Sequence, residues 1–393
     1  MSEPKQKLSG LDHLRALAII LVFLYHYGRL FGHPEWVGDI CKFGWTGVDL
    51  FFVLSGFLIA SQLLQQYDKS NTIFAGEFYV KRFFRIIPAY LTVVAIYFLV
   101  PAFREFEGLS PLWKYLTYTQ NFGLDLKLYH CFSHAWSLCI EEQFYLFLPL
   151  MLLLGITFRV NKAGWFLLGF LFVLGFALRM HSWQSYLAEQ PLSGPIWFKY
   201  VYYPTYNRLD GLLAGITIAS LWQYRPKFKM AISKNGNLCL LIGLALSVAA
   251  YVLCLDQTSY KASIYGFPLV ALAFSFFLTG AISPTSVFYK YGSSITSYIA
   301  TLSYAIYLSH KGIIHVVQEA LSSAGIDKDS NSMFVACIIG CGMAAMLLHY
   351  IVERPFMKLR GNILQKRRHK KAASPVSATT VVTTKKGFGK VKE

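Results

Sequence analysis

The sequence predicts an all-α, polytopic membrane protein of about ten transmembrane helices with both termini cytoplasmic. Three observations carry that prediction. Hydrophobic residues make up 55% of the 393 and charged residues only 15%, against roughly 45–50% and 25% in a soluble domain. Ten stretches are long and apolar enough to cross a hydrocarbon core about 30 Å thick, which takes about 20 helical residues. Of the 37 Lys and Arg, 26 fall on the side of the N-terminus, and such an excess marks the cytoplasmic face. The aromatic share of 17% excludes disorder for the bulk of the chain. A net charge of +17 would suggest a nucleic-acid partner in a soluble protein. Here it sits in inter-helix loops and a tail, so the expected partner is the lipid bilayer and no nucleic acid.

The spans run over 14–31, 44–65, 86–103, 137–157, 164–181, 206–223, 236–255, 263–282, 297–317 and 333–352. The first has the basic flank of a signal peptide, Lys5 and Lys7. Tyr25, His26 and Tyr27 stand where a small-residue cleavage site would have to be, so the span is retained. Lys81, Arg82 and Arg85 precede span 3 and support the orientation independently of the C-terminus. After about Gly361 the chain reads QKRRHKK, a Ser/Thr/Val/Ala stretch, then KKGFGKVKE. The expected organisation is a membrane domain, 1–360, and a disordered basic cytoplasmic tail, 361–393, attracted to anionic lipid. Seven Cys show no metal-ligand spacing, so no metal is expected. Cys41 and Cys131 fall in predicted outer loops, where an oxidising compartment allows pairing; free thiols are the default. Neither an internal repeat nor a matching pair of short, interrupted spans points to an inverted-repeat transporter.

Several spans carry ionisable residues, each costing about 2.5–3.5 kcal/mol at mid-membrane on insertion scales, so each is a functional candidate. In span 1, Arg15 lies at the inner end and His26 eleven residues on, about 16 Å along the axis. Arg15 reads as a snorkelling anchor or a ligand residue; His26 reads as an interhelical hydrogen-bonding group or a base. Asp49 lies in the outer third of span 2, where a buried carboxylate needs a partner and an imidazole is the natural one. Ser55 and Gly56 follow, small residues that suit close packing. Glu141 and Glu142 open span 4; neighbours on a helix point about 100° apart, so one is expected to face the bundle and the other a different surface. Arg208 and Asp210 open span 6, with a mutual ion pair as the bland account. His310 lies in the outer half of span 9. These groups share a similar depth, as the lining of a single polar cavity would. At the inner face, Arg82 and Arg85 share a helical side, and with Lys81 and Arg15 they suit a phosphate-rich ligand or plain topology. Rings at 197–206 (WFKYVYYPTY) and Trp113, Tyr115, Tyr118 and Tyr129 fit sugar stacking or an interfacial belt.

The motifs resemble the acyltransferase-3 family of integral-membrane O-acyltransferases. The resemblance rests on Arg15-x10-His26, GVDLFFVLSGFLI at 47–59, the basic run ending at Arg85, WSLCIEEQFYLFLP at 136–149, RLDGLLAGI at 208–216, LSYAIYLSH ending at His310 and VERPF at 352–356. It covers about residues 10–360 in the expected order. Many members carry an extracytoplasmic esterase-like domain, which is not seen here, so the resemblance implies the stand-alone kind. It implies an acyl-CoA co-substrate, acetyl-CoA by family habit, with no tightly bound cofactor. The acceptor is an extracytoplasmic or lipid-linked carbohydrate, such as a surface polysaccharide or lipopolysaccharide, and the place is a bacterial inner membrane. Arg15, Lys81, Arg82 and Arg85 are implied for the CoA phosphates and His26 for the base. Asp49, Glu141, Glu142, Ser55, Arg208, Asp210 and His310 are implied around the site. A sugar hydroxyl needs a base as it attacks a thioester; Asp49, Glu141 or Glu142 would orient the imidazole, and Arg208, Ser55 or backbone N–H groups would face the oxyanion. Direct transfer and a transient acyl-His26 both stay open. The rival class is a transporter or flippase of a lipid-linked saccharide, which needs no acyl-CoA.

Overall fold

The structure, a computed structural model, describes residues 9–157, 163–189 and 193–372. Among them every regular element is helical. The principal helices are α1 (Ser9–Leu30), α2 (Thr46–Ser70), α3 (Ala75–Leu99), α4 (Trp136–Thr157), α5 (Ala163–Tyr186), α6 (Asp210–Tyr224), α7 (Gly236–Leu253), α8 (Phe267–Ile282), α9 (Ser294–Ser323), α10 (Asn331–Leu348) and α11 (Arg354–Ala372). Each of the ten expected spans falls on one of the first ten. Among the described residues, eight helical segments are long and apolar enough to cross a membrane, so the protein is a multi-pass membrane protein. Outside that set are α6, only 15 residues long, and α9, whose 30 residues include His310, Lys311, His315 and many hydroxyls.

Local chemistry sets the boundaries. Ser293 and Ser330 cap α9 and α10 by accepting from the N–H groups of Thr296 and Met333, which satisfies one of the orphan donors at each helix start. Asn71, at φ 52°, ends α2 in the left-handed conformation that closes many helices. The helix pair α2 and α6 packs backbone to backbone, because a Cβ on Gly56 would strike the carbonyl of Leu212 and one on Gly215 that of Val53. Small residues permit that approach where lipid supplies no hydrophobic drive. Beside this pair, α1 lies against α2, α8 and α9, and α9 also against α10.

Two expectations change. The third helix begins at Ala75, not near 86, so Lys81, Arg82 and Arg85 lie within α3 rather than before it. The stretch after Gly361 continues as helix through Ala372, linked to α10 by a π-helical turn, His349–Glu353. Charged residues at 358, 360, 366 and 367 spaced around a helix explain why composition alone read as disorder. The rest of the expected tail, the basic flank at Lys5 and Lys7, and the loop at 158–162 lie outside the described residues. Both Cys41 and Cys131 are buried free thiols, bonded to the carbonyl of Gly38 and to Glu105 respectively.

Candidate active site

Seven of the twelve expected site residues line one cavity of about 1890 Å³: Arg15, Ser55, Lys81, Arg82, Arg85, Glu141 and Glu142. It is lined by residues of α1, α2, α3, α4, α6, α8, α9 and α11, and runs from exposed residues such as Lys69 and Arg367 inward to buried Ser137 and Tyr307. Adjacent residues of the SGF motif divide the work: Ser55 faces the cavity while Gly56 seats α6. Both glutamates face the cavity, where only one was expected to face the bundle. A cavity this wide subtends more than the 100° between neighbours. The Arg82 guanidinium lies 5.2 Å from the Tyr145 ring centroid and 5.7 Å from that of Phe78. The Tyr145 hydroxyl in turn donates to Glu141 at 2.7 Å. Lys81 is bridged to Glu77 at 2.8 Å.

The two expected histidines meet each other. His310 Nε2 and His26 Nδ1 are 2.9 Å apart, and a third ring, His134, lies 5.7 Å from His26 and 4.9 Å from His310 between centroids. The tautomers follow from the acceptors. His310 Nδ1 faces the carbonyls of Ile306 at 3.1 Å and Tyr307 at 2.9 Å, so it carries the proton. A neutral His310 then accepts at Nε2, His26 donates from Nδ1, and the lone pair of His26 is left on Nε2. The Tyr307 carbonyl also accepts from His134 Nε2 at 3.0 Å. His134 Nδ1 is buried without a hydrogen-bond partner among the described residues. His310 and His134 are buried, and His26 keeps partial exposure.

The histidine cluster lies just beyond the cavity lining, at Tyr307. The Tyr307 side chain lines the cavity, and its ring centroid is 5.5 Å from His134 and 6.1 Å from His310. Its hydroxyl donates to the His134 carbonyl at 2.6 Å and accepts from Ser137 at 2.5 Å.

Asp49, Arg208 and Asp210 are placed elsewhere, and the single polar cavity expected from shared depth resolves into separate groups. Asp49 pairs with Arg208 at 2.9 and 3.0 Å, not with an imidazole. Asp210 pairs with Arg179 at 2.5 and 3.1 Å, not with Arg208. The Arg208 guanidinium lies 3.9 Å from the centroid of Phe267 and 4.4 Å from that of Tyr202, so part of the aromatic run at 197–206 covers a buried cation. None of the three lines the cavity. Buried arginine prefers a carboxylate fork and an aromatic face over a solvated neighbour.

Sequence reasoning also passed over His134, Arg179, the pair Lys311–Glu105 at 2.7 Å, and the α11 residues Arg360 and Arg367 in the cavity lining. The available signal for His134 was its place three residues before Ser137 at the mouth of a charged span, outside the predicted limit. For Glu105, in a loop, there was none.

A sequence profile described as an acyltransferase domain, that of acyltransferase-3, matches residues 8–351. The chain belongs to the acyltransferase-3 family. Among curated relatives, it is 30% identical over 338 residues to the peptidoglycan O-acetyltransferase OatA of Listeria monocytogenes, covering 81% of this chain and 51% of that one. It is 29% identical over 377 residues to the O-acetyltransferase OatA of Staphylococcus aureus, covering 89% and 57%. The chain thus spans about half the length of the curated relatives it matches. No solved structure matches it. The family match takes in α1 to α10, including all three histidines, and stops before α11.

Proposed function

We propose that this chain is an O-acetyltransferase: it takes an acetyl group from acyl-CoA held in the basic cavity and places it on a carbohydrate hydroxyl, with His26 Nε2 as the base. The observation that carries the reading is the tautomer chain. Two carbonyls hold the proton on His310 Nδ1, and His310 Nε2 holds one on His26 Nδ1, which leaves His26 Nε2 free to accept. The cavity lining, seven Lys and Arg against three Glu, favours an anion such as the CoA phosphates. The thioester approaches past Tyr307, the side chain shared by cavity and histidine cluster. The hydroxyl oxygen attacks the thioester carbonyl as its proton passes to His26 Nε2. The C–S bond then breaks and the thiolate leaves, taking the proton from the imidazolium. His310 holds the ring, a part the sequence offers to Asp49, Glu141 or Glu142. The acceptor is a glycan of the cell envelope, in keeping with the peptidoglycan named for the Listeria relative.

The test is transfer of label from acetyl-CoA to envelope glycan in membranes containing the wild-type chain or His26→Ala. A positioned base contributes about 10²–10⁴-fold, so the variant should lose that much with its amount in the membrane unchanged. Retained transfer removes His26 from the reaction. Absence of transfer by the wild type, with movement of a lipid-linked saccharide across the membrane, replaces the enzyme by a flippase.

A further inference from the structure

The helix that follows the family match contributes to the cavity without having been assigned to it. From α11, Arg360, Gly361, Leu364, Gln365 and Arg367 join the same lining as the α3 residues Lys81, Arg82 and Arg85, and α11 packs directly against α3. Positions 360, 364 and 367 fall on one helical face, and Arg360 and Arg367 are about 10 Å apart along the axis. The helix is fixed at its start: His349 and Glu353 bond at 2.7 Å across the π-helical turn, and Phe356 reaches the Phe84 ring at 6.5 Å. Among the described residues, Arg85, Arg360 and Arg367 form no ion pair, and Arg367 is exposed. The cavity therefore runs from an exposed end that includes Arg367 to a buried end at Ser137 and Tyr307.

We propose that α11 is the second wall of the donor site. Arg360 and Arg367 bind the terminal phosphate of a nucleotide-bearing thioester, the 3′-phosphate of CoA, and so select a phosphorylated donor over one lacking that group. This rests on the donor reading above. A thioester delivered at Tyr307 leaves the opposite, nucleotide end of an extended acyl-CoA at the mouth, where these guanidinium groups form no ion pair among the described residues. Arginine suits that task because its planar fork gives two parallel charge-assisted bonds to phosphate.

The experiment uses the full chain in phosphatidylcholine nanodiscs and measures binding of CoA and of dephospho-CoA by calorimetry. The wild type should prefer CoA about tenfold, the scale of one charge-assisted interaction. Arg360→Gln combined with Arg367→Gln should weaken CoA about tenfold and leave dephospho-CoA unchanged. Gly361→Glu is the reciprocal variant: a Cβ there meets nothing within 4 Å, so folding is spared, and the added charge should weaken CoA more than dephospho-CoA. If both ligands bind and the preference survives both variants, α11 has no part in donor choice. If both ligands weaken equally, or the substitutions matter only when phosphatidylglycerol replaces phosphatidylcholine, the arginines serve a lipid headgroup and the proposal fails. If neither ligand binds the wild type, the donor reading itself fails.

Discussion

Buried charge is handled in two ways in this molecule. Around α2, α5, α6 and α9 three buried pairs are closed: Asp49 with Arg208, Asp210 with Arg179, Glu105 with Lys311, none of these side chains more than 5% exposed. Between α1, α3, α4 and α11 the charge is open: an excess of Lys and Arg surrounds space rather than a partner. A closed pair cancels its own field and has nothing left to offer a ligand. An open excess of one sign has to be met by something that is not protein. The costly residue is therefore a poor guide to function until its partner is known. The sharpest way to break the comparison is Asp49→Ala, which strands the Arg208 guanidinium among Phe267, Tyr202 and Trp136. Removing one member of a buried pair costs about 3–5 kcal/mol, so the variant should lose folded protein from the membrane or melt far earlier in detergent. A well-folded Asp49→Ala with a pure catalytic defect would return Asp49 to the active site.

The closed pairs also set an acid limit. Burial, the largest influence on Glu105, favours its neutral form, but the Lys311 ammonium and the Phe132 N–H outweigh it and hold the carboxyl below its ordinary value. A folded value below the unfolded one, about 4.3, means that the folded protein binds fewer protons. The stability this group gives is thus fully present above the unfolded value and lost as pH falls through the folded one. Melting temperature should hold from pH 7 to about 5 on this account and drop below about 4. Glu105→Gln should start lower and lose that part of the acid limb; parallel curves for the two proteins would assign the acid limb to other groups.

What the sequence made legible follows the same division. Periodicity and apolar length found the ten helices because each is a local property of 15–30 residues. Arg15, Arg82 and Arg85 were readable as one cluster, because basic residues beside membrane spans are rare enough to count and their helical spacing is local. The pairing Asp49–Arg208 joins residues 159 apart, and the meeting of His26 with His310 joins residues 284 apart. Sequence gives no distance over such gaps: it proposed one cavity where there are an open cavity, a histidine cluster and closed pairs. It missed His134 because a lone histidine just outside a span carries no cost signal. It read α11 as a tail because its hydrophobic residues are too few to announce a helix that packs by Phe356 and lines a cavity with arginine.

The open side is sharpened by Arg82→Gln. Its guanidinium rests on the Phe78 and Tyr145 rings and faces the cavity, so the substitution should leave melting within about 1 kcal/mol, as for most changes outside closed pairs. KM for acetyl-CoA should rise about tenfold, the worth of one charge-assisted contact. The same kinetics with a collapse in stability would make Arg82 one more closed charge.

Tyr307 tests the comparison at its seam. Its ring lines the open cavity while its hydroxyl is closed between Ser137 and the His134 carbonyl. Tyr307→Phe keeps the ring and removes the hydroxyl, leaving the Ser137 hydroxyl and one carbonyl short of a partner. A hydrogen bond of this kind contributes about 0.5–1.5 kcal/mol net, so melting should fall slightly. The proton on His310 is held by the backbone carbonyl of Tyr307, which the substitution leaves in place, so kcat should fall by no more than about tenfold. KM for acetyl-CoA should not move, because the proposed donor site puts the phosphates among the Lys and Arg of the cavity and not at this hydroxyl. A larger loss of kcat at unchanged KM would show that the hydroxyl itself meets the reacting carbonyl, and the boundary between scaffold and site would shift one residue toward the histidines.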